Sequence, residues 1–453
     1  MTHARRVIGA TASVALCLAS ACFAQDAARM EQIVQSYVDA GSFMGTVLVA
    51  RGDTVVMSKA YGSANLEWKI PNTTTTKFRL GSVTKQFTAA SILLLEERGK
   101  LSIADPVSKY LSNAPAAWEK ITLHHLLTHT SGVPNFTNFP AYRTFQLSTT
   151  TPDKTIALFR DKPLDFAPGE KWNYSNSGYI LLGAIIEKVS GVSYERFVTD
   201  NIFTPLGMKD SGYDSNSRII ERRATGYAPS PNGPVNSGFI DMSVPHGAGA
   251  LYSTTEDLLR WQRGLIGHKV ISAASLQKMM TPVKNDYGFG VFVATPNNRK
   301  MMQHGGGIQG FNTDLRYFPE TSITVVVLSN LNGPASAIGE KLGQAANGEK
   351  VTLNSERREI PLKPEQLTPL AGVYELRPGS NLVITVEGGQ LMVQTLGQPK
   401  RPVFAESESR FFSKTADVQL EFERNASGEV THVIVQQGAA KTRAPRKPHS
   451  STQ

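Results

Sequence analysis

The stretch from Ser82 to Gly99 constrains the fold most. Ser82 opens a run through Phe87 and Ile92 to Leu95 that reads as a helix, ended by Gly99 in the C-cap position. Apolar residues fall on nearly every side of it, so other layers must cover it all round. Strand-forming runs bracket this helix along the chain. Gly45 to Ala50 and Thr54 to Ala60, around Arg51-Gly52-Asp53, read as a β-hairpin. After a largely helical middle, strand character returns at Gly290–Ala294, Lys300–His304, Asp314–Phe318 and Ile323–Ser329, the last two joined at Pro319-Glu320. The simplest packing is one antiparallel sheet built from both ends of the domain with helices on its faces, an α+β fold.

With 453 residues the chain has room for a second domain. Mainly polar residues over 347–364 read as a linker. Beyond it, short alternating runs such as Leu382–Val386, Leu391–Thr395 and Val418–Phe422, with turns at Gly388-Gly389 and Ser427-Gly428, predict a small β-barrel or sandwich over 365–440. Lys441, Arg443, Arg446 and Lys447 give residues 441–453 the look of a basic disordered tail, with no interleaved aromatics to suggest nucleic acid.

At the N-terminus, Arg5 and Arg6 precede an uncharged, mostly apolar stretch from Val7 to about Ala21, and Ala24 stands before Gln25. That is the layout of a secretory signal peptide over residues 1–24, too short in its apolar part for the ~20 residues of a spanning helix. The expectation is an exported protein, periplasmic or secreted, with no stable membrane span after cleavage and a first domain over residues 25–346. Cys17 and Cys22 both lie inside this leader, so the mature chain carries no cysteine. A thiol nucleophile, a cysteine metal site and a disulfide framework are thereby excluded.

The chemistry starts at Ser82-Val83-Thr84-Lys85. Residues three apart share a helix face, so the serine and the lysine can meet. A serine hydroxyl needs a neighbouring base to become a nucleophile, and a buried lysine can serve because desolvation disfavours its charged form. Spacing alone says little: Ser275 and Lys278 repeat the pattern with nothing beside them. Two companions strengthen the first pair. Tyr174-Ser175-Asn176 lies in a loop after Pro168-Gly169, where a tyrosine could share the lysine's proton and protonate a leaving group, and an asparagine could hold a substrate amide. His304-Gly305-Gly306-Gly307 closes a strand, with glycines that let a substrate lie against the strand edge and leave N–H groups free for an oxyanion. His125 and His129 stand four apart, but the glutamate of a zinc protease helix is replaced by Leu126, so no metal site is expected. No phosphate-binding glycine loop follows a predicted strand, and no cofactor is expected.

These words together resemble the penicillin-recognising serine hydrolases of the class C β-lactamase type, which include D-Ala-D-Ala carboxypeptidases, D-aminopeptidases and esterases. Longer stretches carry the likeness: Phe78 through Lys85, Leu123 through Gly132, Phe166 through Gly183 and Gly247 through Leu259. The resemblance implies a β-lactamase/transpeptidase-like antiparallel sheet with a helical subdomain. It implies Ser82 as the acylated nucleophile, Lys85 and Tyr174 as its proton-handling partners, and Asn176, His304 and Gly306 at the substrate. The N–H groups of Ser82 and Gly307 would form the oxyanion hole. One departure matters: His304 stands where many β-lactamases and carboxypeptidases place the lysine of Lys-Thr-Gly. A mostly neutral imidazole binds a substrate carboxylate less well than an ammonium. The expected activity is hydrolysis of D-amino-acid peptides or small esters, with a small-molecule or peptidoglycan-derived peptide as partner. The alternatives are a β-lactamase and a non-catalytic binder of cell-wall peptides. The C-terminal β segment resembles, less specifically, the lipocalin-like domains that follow some of these hydrolases.

Overall fold

Helix α1 (residues 27–39) precedes a hairpin of β1 (Gly45–Arg51) and β2 (Thr54–Tyr61), turned by Gly52 at φ +54°. This computed structural model describes residues 27–395, 399–414, 417–437 and 440–448. The expected leader over residues 1–24 and the final residues from 449 lie outside the described residues. The chain divides into two units: residues up to Val34 with Gly41–Gly348, and Gln35–Ala40 with the residues from Glu349 onward.

In the first unit the hairpin joins four later strands: β3 (Phe292–Ala294), β4 (Met301–Ile308), β5 (Phe311–Phe318) and β6 (Ile323–Ser329). They form one antiparallel six-stranded sheet in the order β3-β4-β5-β6-β1-β2. The first strand therefore lies beside the last, with Gly45 opposite Ser329 and Arg51 opposite Ile323. Residues 323–329 are all buried, as a mostly β-branched strand is when both sheet faces are covered.

Helix α2 (Thr84–Glu97) is buried from Thr84 through Leu95. Phe87 stacks on Trp261 with ring centroids 4.3 Å apart and meets Phe203 edge-on at 5.7 Å. The same core takes in Leu48 and Val326 from the sheet and Leu181 and Ile185 from α4 (Asn176–Ser190). The short α3 (Leu123–Leu127) is capped at its start by Thr122 and His125, each side chain accepting from the other's backbone N–H.

The second unit is an antiparallel meander of eight strands: β7 (Gly372–Arg377), β8 (Ser380–Glu387), β9 (Gln390–Thr395), β10 (Arg401–Ala405), β11 (Arg410–Phe412), β12 (Val418–Arg424), β13 (Val430–Gln437) and β14 (Ala440–Pro445). Tyr374 bridges to Arg446, and the Lys447 N–H donates to the Val373 carbonyl, so the last strand returns to the first and nearly closes a barrel. This corrects the expectation of a disordered tail from residue 441. Lys441 and Arg443 stand in β14, whose Ala444 is buried in the barrel core. Arg443 donates to Glu423 at 2.8 Å, and Arg446 donates to the Ala371 carbonyl. The charges point outward while the alternate positions complete the barrel wall.

Candidate active site

Ser82 sits in the 3-10 turn Gly81–Val83 that leads into α2. Gly81 holds φ +52°, and a Cβ there would stand 2.9 Å from the Gly307 nitrogen. A side chain at position 81 would thus be strained and would collide with β4. Lys85 follows one helical turn later. Its amine lies 3.0 Å from Ser82 Oγ, 2.9 Å from Asn176 Oδ1 and 2.8 Å from the Ala248 carbonyl oxygen. The lysine is 0 % exposed, and this burial pushes its pKa well below the ordinary range. A neutral amine has two N–H donors and one lone pair. Asn176 and Ala248 accept the two donors, which leaves the lone pair facing the serine hydroxyl.

Tyr174 enters from the loop before α4, with its hydroxyl facing Ser82. Its ring centroid lies 4.8 Å from the Lys85 amine. Burial drives its pKa upward, so the phenol keeps its proton. Behind it stands His129, with ring centroids 4.3 Å apart. His129 is buried, its Nδ1 accepts the Ser175 N–H at 3.2 Å, and burial together with Lys85 keeps the ring neutral. The histidine pair considered for metal binding is thus split: His125 caps α3, while His129, past the helix end at φ +57°, supports the tyrosine.

Asn176 is the first residue of α4. Its Oδ1 is taken by Lys85 and its Nδ2 donates to Thr137 Oγ1 at 3.3 Å. The glycine run lies on β4, which β3 covers only from Met301 to Gln303, so the edge is open from His304 onward. Gly307 lies at the cleft, but two neighbours depart from expectation. Gly306 does not face a substrate: a Cβ there would lie 2.0 Å from the Leu80 carbonyl oxygen, so this glycine lets β4 press against the turn that carries Ser82. Thr313 Oγ1 donates to the same carbonyl at 2.8 Å and fixes the approach. His304 is not free to hold a carboxylate either. Its Nδ1 donates to the Gly305 carbonyl, which leaves Nε2 to accept from the Tyr287 hydroxyl at 3.1 Å. Burial and the nearby Lys85 lower its pKa to about 3, so it carries no positive charge.

These groups open onto a cleft of about 100 Å³ lined by Ser82, Asn176 and Gly307, with Phe136, Tyr142, Ile240 and Val244 as its apolar walls. Among the described residues, no lysine, arginine, aspartate or glutamate lines it. Sequence reasoning missed the Ala248 carbonyl and the His129 support; the first offers no side chain to read, and the second was visible only as half of a spacing. The second serine–lysine pair does not assemble: Lys278 donates to Glu96 at 2.8 Å, and Ser275 lies in the first turn of its helix, its N–H donating to the capping Ser272 Oγ.

Residues 30–347 match the family described as Beta-lactamase, and residues 356–445 match a domain of unknown function, DUF3471. The chain is 29% identical over 442 residues to "Penicillin-binding protein 4*" of Bacillus subtilis, covering 90% of this chain and 96% of that one. It is 34% identical over 327 residues to "Putative penicillin-binding protein PbpX" of the same organism, covering 72% and 79%. Among solved structures, the octameric penicillin-binding protein homologue from Pyrococcus abyssi superposes with a TM-score of 0.67 at 29% identity, covering 92% and 99%. The D-amino acid amidase from Ochrobactrum anthropi SV3 shares the fold with a TM-score of 0.63 at 22% identity, covering 70% and 98%.

Proposed function

The chain belongs to the beta-lactamase family and is a serine hydrolase of the penicillin-recognising kind, and from that premise we propose that Ser82 forms an acyl-enzyme with neutral esters or amides, D-amino-acid derivatives among them. The observation that carries this reading is the buried Lys85 amine 3.0 Å from Ser82 Oγ with both its N–H donors already engaged.

Lys85 takes the hydroxyl proton as Ser82 Oγ attacks the carbonyl carbon. The charge that develops on the carbonyl oxygen is met by the N–H groups of Ser82 and Gly307, beside the N-terminus of α2. Tyr174, a phenol at rest, gives its proton to the leaving nitrogen or oxygen and regains one from the lysine ammonium. Water then attacks the acyl-enzyme by the same proton route in reverse, and the acid leaves. The uncharged walls of the cleft and the neutral His304 favour acyl donors without a free carboxylate. A β-lactam, which carries one, should acylate slowly. Names of relatives such as Penicillin-binding protein 4* support acylation by penicillin at all. Export is part of the same reading, supported by Arg5, Arg6 and the apolar run that follows; N-terminal sequencing of the mature protein tests it.

Intact mass after exposure to a fluorophosphonate, in wild type and Ser82→Ala, tests the nucleophile. A single adduct in the wild type and none in the variant is expected; an adduct that persists in the variant overturns the assignment. Turnover of a p-nitrophenyl ester and an N-acyl-D-amino-acid amide should exceed that of a D-Ala-D-Ala peptide and a chromogenic cephalosporin. Preference for the two acids would overturn the substrate class and leave the nucleophile standing.

A further inference from the structure

The interior of the second unit is filled at one end only. The inward positions of the strands divide into two sets. Tyr374, Leu391, Phe411, Phe422 and Val433 pack together, with Phe411 and Phe422 edge-on at 5.6 Å and Tyr374 and Phe422 at 6.0 Å. At the other end the inward residues are smaller or shorter: Leu376, Leu382, Val393, Val403, Leu420 and Val435. They pack against the first set on one side and on the other surround a cavity of about 580 Å³. An eight-stranded barrel is just wide enough either to be filled by side chains or to hold one small ligand, and this one does the first at one end and leaves room for the second at the other. The volume lies within the range of small-molecule sites.

The inner wall is apolar and buried: Val403 and Leu420 are each 1% exposed and Leu382 is 5% exposed. Toward the exposed end the wall turns polar, with Ser380, Thr395 and Gln437, and it carries two arginines, Arg377 and Arg401. Arg401 stands opposite Val393 in the β9–β10 register, so its side chain leaves the same face as the cavity-lining valine. Among the described residues, neither arginine side chain makes an ion pair or a hydrogen bond, and no aspartate or glutamate lines the cavity. An apolar pocket with two uncompensated guanidinium groups at its rim is complementary to a molecule that is apolar at one end and anionic at the other.

We propose that this barrel binds a single-chain carboxylate amphiphile, the hydrocarbon between Leu382, Val403 and Leu420 and the carboxylate at Arg377 and Arg401. The proposal is independent of the chemistry at Ser82. Isothermal titration of the full chain with laurate, lauryl alcohol and laurylamine tests it. Laurate should bind saturably and about tenfold more tightly than the other two, the scale of one charge-assisted contact. The double substitution Arg377→Ala with Arg401→Ala, at exposed side chains without partners, should erase that preference and leave the binding of lauryl alcohol unchanged. Val393→Trp, which fills the cavity from a partly exposed position, should weaken all three, with thermal melting to check that the barrel stays folded. Absence of saturable laurate binding, equal binding of the three ligands, or a preference that survives the arginine substitutions would each overturn the proposal.

Discussion

The Lys85 amine lies 3.0 Å from the Ser82 hydroxyl at the end of a side chain with no solvent exposure. The other oxygens around it, Asn176 Oδ1 and the Ala248 carbonyl, are acceptors without charge. Among the described residues no carboxylate compensates the ammonium form, so burial acts on the lysine unopposed and makes it a base rather than a counter-ion.

Replacing that base should remove acylation while sparing the fold. Lys85→Met keeps the length and apolar stem of the side chain but has no lone pair for the Ser82 proton. General-base contributions run to about 10²–10⁴-fold, so the acylation rate with a p-nitrophenyl ester should fall by about 10³-fold. The two acceptors left unpaired cost about 1–3 kcal/mol each at most, against which the variant no longer buries an amine. Stopped-flow release of p-nitrophenol measures the rate; a burst that persists at wild-type speed would mean that another group activates Ser82.

The same lysine sets a pH dependence whose sign is fixed. Its ordinary pKa is 10.5, and in the fold it is well below that. Acylation should therefore rise with pH as the folded lysine loses its proton, and level off well before pH ~10. Between the lowered value and the ordinary one, the unfolded chain binds a proton that the folded chain does not, so stability also rises with pH there, by about 1.4 kcal/mol per pH unit at most. Urea midpoints across that window should climb in the wild type and climb less in Lys85→Met. Equal slopes in the two proteins would place the lysine pKa near its ordinary value.

Gly81→Ala should injure catalysis more than its size suggests. The residue sits at φ +52°, and its Cβ would meet the Gly307 nitrogen at 2.9 Å and the Gly307 carbonyl carbon at 3.1 Å. To make room, β4 must withdraw from the turn that carries Ser82, and the two N–H groups proposed for the oxyanion separate. Loss of one such donor costs about 10²–10³-fold in kcat. The expected signature is a drop in kcat of that order with KM changed little, together with continued slow labelling by fluorophosphonate. Unchanged kcat would show that these N–H groups do not hold the oxyanion.

How far the sequence reveals this arrangement depends on whether a residue acts through its side chain and its local geometry. Ser82 and Lys85 were legible because helix geometry turns a spacing of three into a contact, and the bracketing strands were legible from their runs of strand-forming residues. Gly306 was not: a glycine facing a substrate and a glycine pressed on Leu80 look the same until the partner, far away in sequence, is in place. His129 was hidden for a related reason. Its spacing from His125 assumes a continuous helix, and the chain leaves the helix at Thr128. The strand over residues 440–445 escaped because its inward residues, Thr442 and Ala444, are too small or polar to mark a hydrophobic face against four flanking charges.

His304 should make the first unit sensitive to acid. Its donor and acceptor are both committed, Nδ1 to the Gly305 carbonyl and Nε2 to the Tyr287 hydroxyl. Burial disfavours the charged imidazolium and Lys85 stands nearby, so its pKa is lowered from 6.5 to about 3. Between these values the unfolded chain takes up a proton and the folded chain does not, so stability falls as pH falls, at about 1.4 kcal/mol per pH unit for one proton. His129 adds a slope of the same sign, as do carboxylates held low, but both are common to wild type and variant. His304→Gln removes one proton from the difference. Its urea midpoints between about pH 6 and pH 4 should therefore decline less steeply than those of the wild type, even if its stability at neutral pH is lower. Parallel declines would mean that the imidazole accepts a proton without leaving its place, and that His304 carries charge at the Ser82 site after all.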